Sequence, residues 1–198
     1  MQHPPSPVWT VPNLLSLGRL ILAVVFFGAV ERGSWPAALG LFAVAASTDW
    51  VDGWWARRYG QVTRLGRIFD PLVDKLLVCG GFILLADRGD TAAIRPWMAV
   101  VVVMRELVVT AVRAELERSG RDFSAVFSGK LKMVLQCAAI LLELGARAFP
   151  TAAPAGLPLR PLAAAATLAA VAATVWSGVE YLVAARGLLT EPEHPRGG

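Results

Sequence analysis

The sequence predicts an all-α integral membrane protein with six transmembrane helices and cytoplasmic N- and C-termini. Three observations predict it. The 198-residue chain is 56% hydrophobic and only 17% charged, with a mean hydropathy of +0.55, whereas soluble domains carry about a quarter charged residues. The apolar residues gather into six stretches, each near the roughly 20 residues that cross a bilayer. The basic residues concentrate in alternate connections between those stretches, as the positive-inside rule requires.

The expected helices are Asn13–Val30, Pro36–Ala56, Asp70–Ala86, Pro96–Val112, Gly129–Ala148 and Pro161–Ala185. Pro12 precedes Asn13, which suits an N-cap, and Pro36, Pro96 and Pro161 suit a first helical turn. The apolar run Leu20–Val30 is followed by ERGSWP rather than a small-residue cleavage site, so it reads as a retained span and not a signal peptide. The segments ERGSW, DRGDTAAIR and FPTAAPAGLPLRP carry the turn residues of connections. No repeat or long linker interrupts residues 1–190, which are expected to form a single membrane domain, and 191–198 read as a disordered tail.

Most of the 19 basic residues fall on the N-terminal side of the bundle: Arg57, Arg58, Arg64, Arg67, Arg118, Arg121 and Lys130 among them. That side is therefore expected to face the cytoplasm. Net charge is +4, but the basic residues flank apolar helices and form no soluble face with stacking aromatics, so nucleic acid is excluded as a partner. Cys79 and Cys137 lie inside apolar segments and read as packing residues. The histidines, His3 and His194, lie in the tails, so acid–base chemistry must use other groups.

The chemistry concentrates in DWVDGWWARRYGQVTRLGRIFDPLVDK, from Asp49 to Lys75. Asp49 and Asp52 are three apart, Asp70 and Asp74 four apart, so each pair lies on one face of a helix. The two helices should be antiparallel neighbours with the pairs facing each other at the cytoplasmic surface. Four carboxylates at such range repel, and one or two divalent cations would relieve the conflict. Hard oxygen donors with no His or Cys nearby favour Mg²⁺ or Mn²⁺. The competing reading is a solvated ion network with the loop arginines.

The pattern D-x-x-D-G-x-x-A-R-x8-G-x3-D-x3-D resembles the signature of the CDP-alcohol phosphatidyltransferases, and Asp49, Asp52, Gly53, Ala56, Arg57, Gly66, Asp70 and Asp74 fill its fixed positions. The resemblance implies a six-helix membrane enzyme, a homodimer, that transfers a phosphatidyl group from a CDP-linked lipid to an alcohol and releases CMP. It implies Asp49, Asp52, Asp70 and Asp74 as ligands of two metal ions, with Asp74 also the general base. It implies Asn13, Ser16, Gly53, Arg57 and Thr63 as contacts of CDP-diacylglycerol. Arg57 offers a fork of donors to a pyrophosphate, and Gly53 lets the nucleotide or a neighbouring helix approach the backbone.

The segments VPNLLSLGRLILA, IFDPLVDKLLV, VMRELVVTAVR and SGKLKMVLQ resemble the phosphatidylglycerophosphate synthase branch of that family. The resemblance implies glycerol 3-phosphate as acceptor and a plasma-membrane location with a cytoplasmic active site. A small dianion needs cations, and Arg105, Arg113 and Lys130 are the candidates for its phosphate. Arg105 lies inside the fourth helix, where an ionisable residue points to function. No direct pair with Glu106 is expected, because adjacent helical residues point apart. Lys132 and Arg118 read as interfacial anchors. Other acceptors of the same enzyme class (inositol phosphate, phosphatidylglycerol, serine, choline) remain alternatives, since charge does not separate phosphate-bearing alcohols. A cation transporter or binding module would instead place its charges near the bilayer midplane between repeats.

Overall fold

The computed structural model describes residues 11–59, 64–86, 92–118, 127–152 and 158–190; side chains at 11–13, 15–16, 49–59, 64–71, 117–118, 127–128, 130 and 187–190 lie outside the description. Among these residues the chain forms six α-helices and no strand: α1 Val11–Glu31, α2 Trp35–Tyr59, α3 Arg64–Leu85, α4 Pro96–Arg118, α5 Phe127–Ala148 and α6 Leu159–Thr190. Every expected helix is present, and the differences lie at the ends. α3 begins at Arg64 rather than Asp70, α4 continues to Arg118, and α6 continues to Thr190. Apolarity stops at a charged turn, but backbone hydrogen bonding does not. The AVRAELER segment that extends α4 is rich in strong helix formers. Asn13 falls inside the first turn of α1 rather than at its cap, because α1 starts at Val11. Residues 191–198 lie outside the described residues.

The α1–α2 connection is a tight reversal built on Gly33, whose φ is 66°. Ser34 N donates to Ala29 O at 2.9 Å and Gly33 N donates to Val30 O at 2.9 Å. This paired bonding satisfies the last carbonyls of α1, and its left-handed residue is the position glycine occupies without strain. α2 then starts at once, with Pro36 as its second residue.

α1 packs against α2 and α3, α6 packs against α5 and α4, and contacts of α2 with α5 and of α3 with α4 and α5 join these groups. The core between them includes Phe26, Phe42, Phe82, Val102, Ile140 and Leu144, all fully or almost fully buried. The rings of Phe26 and Phe42 lie tilted at 5.4 Å. α1 and α3 approach closely where α3 has no side chain: a Cβ on Gly80 would come within 2.4 Å of Phe27 Cζ. At the far end of the bundle, Arg147 of α5 donates to Glu143 Oε1 and to the carbonyl of Leu85 at the end of α3, both at 2.8 Å, and lies 4.9 Å from the Trp35 ring centre. One side chain thus ties α2, α3 and α5 together.

The surface inverts that of a soluble bundle. All six helices present large exposed apolar residues, among them Ile21, Val44, Ile83, Leu107, Val134 and Trp176. Apolar surface on this scale marks contact with lipid or a partner rather than with water. One stretch among the described residues, Leu159–Arg186, is long and apolar enough to cross a membrane by length and composition.

Candidate active site

Helical backbone runs without interruption through both acidic pairs: Asp49 and Asp52 near the C-terminal end of α2, Asp70 and Asp74 in the first half of α3. That helical backbone is what the i,i+3 and i,i+4 spacings need for each pair to share a face. Pro71 sits between the second pair, and its missing N–H leaves the carbonyl of Arg67 without its helical donor. The side chains of Asp49, Asp52, Gly53, Arg57 and Asp70, and of Asn13, Ser16 and Lys130, lie outside the described residues, as does Thr63 altogether. How the two pairs face each other falls there too. Among the described residues no group of three His, Cys, Asp or Glu side chains is gathered.

Asp74 is described, and it is held from another helix. Arg19 Nη1 of α1 donates to Asp74 Oδ1 at 2.6 Å, with the Arg19 side chain 1% exposed and Asp74 24%. A buried guanidinium is costly unless its charge is matched, and here the match is a residue of the acidic motif. The sequence signal was available: an arginine inside the apolar run of α1 calls for a partner. The spacing of the acidic motif gives no sign of this contact from α1.

Beside this pair runs a polar seam through α3, α4, α5 and α6. Lys75 Nζ donates to Thr110 Oγ1 at 2.6 Å, and that hydroxyl donates to the Glu106 carbonyl at 2.6 Å. The carboxylate of Glu106, 7% exposed, accepts from Lys132, also 7% exposed. Lys132 is therefore no interfacial anchor. It lies on the inner face of α5 because Glu106 is there to receive it. The Arg105–Glu106 contact also departs from expectation, with Nη1 3.3 Å from Oε1. The long arginine side chain bridges the divergence of the two Cβ directions, passing Gly178 of α6, where an added Cβ would lie 3.1 Å from Arg105 Cγ. Deeper still, Gln136 Nε2 donates to Thr174 Oγ1 at 2.9 Å, and Ser177 Oγ to the Thr174 carbonyl at 3.1 Å. Arg113, the other described candidate for the acceptor phosphate, is on α4 with its Nε buried and without a partner among the described residues.

Comparison with known proteins bears on this arrangement as a whole. The family model described as CDP-alcohol phosphatidyltransferase matches residues 9–176. A Bacillus subtilis (strain 168) relative named CDP-diacylglycerol–glycerol-3-phosphate 3-phosphatidyltransferase is 35% identical over 192 residues, covering 88% of this chain and 94% of its own. An Escherichia coli (strain K12) relative of the same name is 35% identical over 192 residues, covering 92% and 98%. A crystal structure of Mycobacterium tuberculosis phosphatidylinositol phosphate synthase with CDP-DAG bound superposes with a TM-score of 0.63, covering 96% of this chain and 92% of that one. At 18% identity that likeness shows the fold.

Proposed function

Because the chain belongs to the CDP-alcohol phosphatidyltransferase family, we propose that it transfers the phosphatidyl group of CDP-diacylglycerol to sn-glycerol 3-phosphate, giving phosphatidylglycerophosphate and CMP. The observation that carries the acceptor is the 35% identity, over nearly the whole of both chains, to relatives that bear that activity in their names. The enzyme works as a multi-pass protein of the plasma membrane with its active site facing the cytoplasm. The exposed apolar residues on all six helices and the basic bias of one side support that placement.

In this reading Asp49, Asp52, Asp70 and Asp74 hold two divalent ions, Mg²⁺ or Mn²⁺. The residues fit such a centre: the donors are all carboxylate oxygens, the two helices carry them in one-face pairs, and Asp74 meets an arginine as an anionic oxygen donor does. Bound ions would supply charge neutralisation of the pyrophosphate and of the departing phosphate. The chain's own groups do the rest. Arg57 and Gly53 on α2, Thr63, and Asn13 and Ser16 on α1 bind CDP-diacylglycerol. Arg105, Arg113 and Lys130 offer cations to the acceptor phosphate. Asp74 takes the proton of the acceptor hydroxyl, whose oxygen bonds to the phosphatidyl phosphorus as the bridging bond to CMP breaks.

The test is direct. Purified protein is incubated with CDP-diacylglycerol and Mg²⁺, single acceptors are added in turn, and CMP is measured. Glycerol 3-phosphate should support turnover. Turnover with inositol phosphate and none with glycerol 3-phosphate would overturn the acceptor and leave the enzyme class standing.

A further inference from the structure

Arg19 and Asp74 each head an apolar stripe, and the two stripes share one core. On α1, Ala23 and Phe26 follow Arg19 at spacings of four and three and are fully buried. On α3, Leu77 and Val78 follow Asp74 at three and four and are almost fully buried. The arginine is sealed into this contact, with its side chain 1% exposed, whereas Asp74 is 24% exposed. A guanidinium placed there does not swing out to water. The arginine is therefore the fixed member of the pair, and the acid is the one a ligand can reach.

A carboxylate can give a cation one oxygen or both. At Asp74, Oδ1 accepts a bond of 2.6 Å from Arg19 Nη1. That charge-assisted bond draws on the oxygen's electron density and sets a fixed positive charge against any cation approaching it. Hard divalent ions feel this restriction unequally. Ca²⁺ gathers about six to eight oxygens and takes carboxylates through one oxygen or both, whereas Mg²⁺ demands a near-ideal octahedron and fills it largely with water. Holding a carboxylate to one oxygen costs Ca²⁺ a ligand and costs Mg²⁺ none.

We propose that Arg19 is a positioning residue that holds Asp74 to ligation through one oxygen and thereby makes the carboxylate centre favour Mg²⁺ over Ca²⁺. The inference rests on the reading of Asp74 as a metal ligand. It goes beyond that reading by assigning the choice of ion to a residue of α1, outside the acidic motif.

Metal binding itself, rather than turnover, tests it. Mn²⁺ bound to the full-length protein in detergent micelles, with no substrate present, is displaced with Mg²⁺ or with Ca²⁺, and the released Mn²⁺ is counted by electron paramagnetic resonance. In the wild type, Mg²⁺ should displace it at lower concentration than Ca²⁺ does. Arg19→Met should lower the ratio of the Ca²⁺ to the Mg²⁺ concentration by about tenfold or more. Arg19→Lys, which keeps the charge without the planar fork, should lower it less. Loss of the positive charge favours both ions alike and cancels in the ratio. If Arg19 only packs α1 against α3, both titrations move together; an unchanged ratio overturns the proposal and leaves the metal reading standing. Wild-type protein that yields to Ca²⁺ as readily as to Mg²⁺ overturns it equally. Should Arg19→Met not run as a single species on size exclusion, Arg19→Lys decides by the same ratio. Wild-type protein that binds no Mn²⁺, or Asp74→Asn that binds it undiminished, overturns the metal reading and this inference with it.

Discussion

Arg19 and Asp74, 55 positions apart in the chain, meet at 2.6 Å across the α1–α3 contact. The helix carrying Asn13 and Ser16 is thereby fixed to the helix carrying the proposed base. Arg19→Met should lower kcat by roughly 10- to 100-fold, as loss of a supporting contact to a ligand side chain does, with the KM for CDP-diacylglycerol little changed. Arg19→Lys should recover part of the rate, since it restores the charge without the planar fork. CMP release kinetics on the three proteins decide it; an unchanged kcat in Arg19→Met would remove the positioning role.

The acidic motif makes a sharper demand. Asp52→Ala and Asp74→Asn should each abolish transfer while the protein still runs as a single species on size exclusion. A chelator should likewise stop CMP release, and added Mg²⁺ or Mn²⁺ should restore it. Retained activity in either variant would end the proposed metal and base assignments.

Glu106 and Lys132 give a stability prediction. Removing one partner strands a buried charge, which costs about 3–5 kcal/mol. Lys132→Met and Glu106→Gln should therefore each lower the melting temperature in detergent markedly. The double variant Glu106→Gln/Lys132→Met should lie above Glu106→Gln, because no ammonium is left stranded. A double variant whose loss equals the sum of the singles would show that the two charges do not act as a pair.

Gly80 tests the close approach of α1 to α3. Gly80→Ala would drive a methyl into the Phe27 ring, 2.4 Å from Cζ, and overpacking of this kind costs about 1–3 kcal/mol. Thermal unfolding should show the loss, and Phe27→Leu in the Gly80→Ala background should return part of it. A silent Gly80→Ala would mean that the ring moves aside freely.

The helices were legible because the apolar stretches and their punctuating prolines are long and distinct. Their ends were less so: the Arg64–Phe69 turn of α3 and the Arg113–Arg118 end of α4 are charged, and apolarity does not report on them. The helical backbone under the acidic motif was legible from spacing, since three- and four-residue intervals suit a helix. The partners of the interior charges were not. Nothing in the order of residues says that Arg19 reaches Asp74, or that Lys132 turns inward to Glu106; both follow from which helices become neighbours. The same holds for Lys75, which looks like an ordinary cation at the membrane surface until α4 brings Thr110 to it.

If α4 and α5 cross the bilayer as proposed, the Glu106–Lys132 pair also constrains how the chain is made. While α4 emerges from the ribosome, Arg105 and Glu106 have no Lys132 to meet, and a charged residue at mid-span costs roughly 2.5–3.5 kcal/mol on the insertion scale. On that reading the fourth helix should be held beside the translocation machinery until the fifth is synthesised, and the two should enter the lipid as one hairpin. Nascent chains arrested after α4 should accordingly be extractable from membranes with alkaline carbonate far more readily than chains arrested after α5. α6, whose 28-residue segment Leu159–Arg186 is apolar enough to cross on its own, needs no such companion.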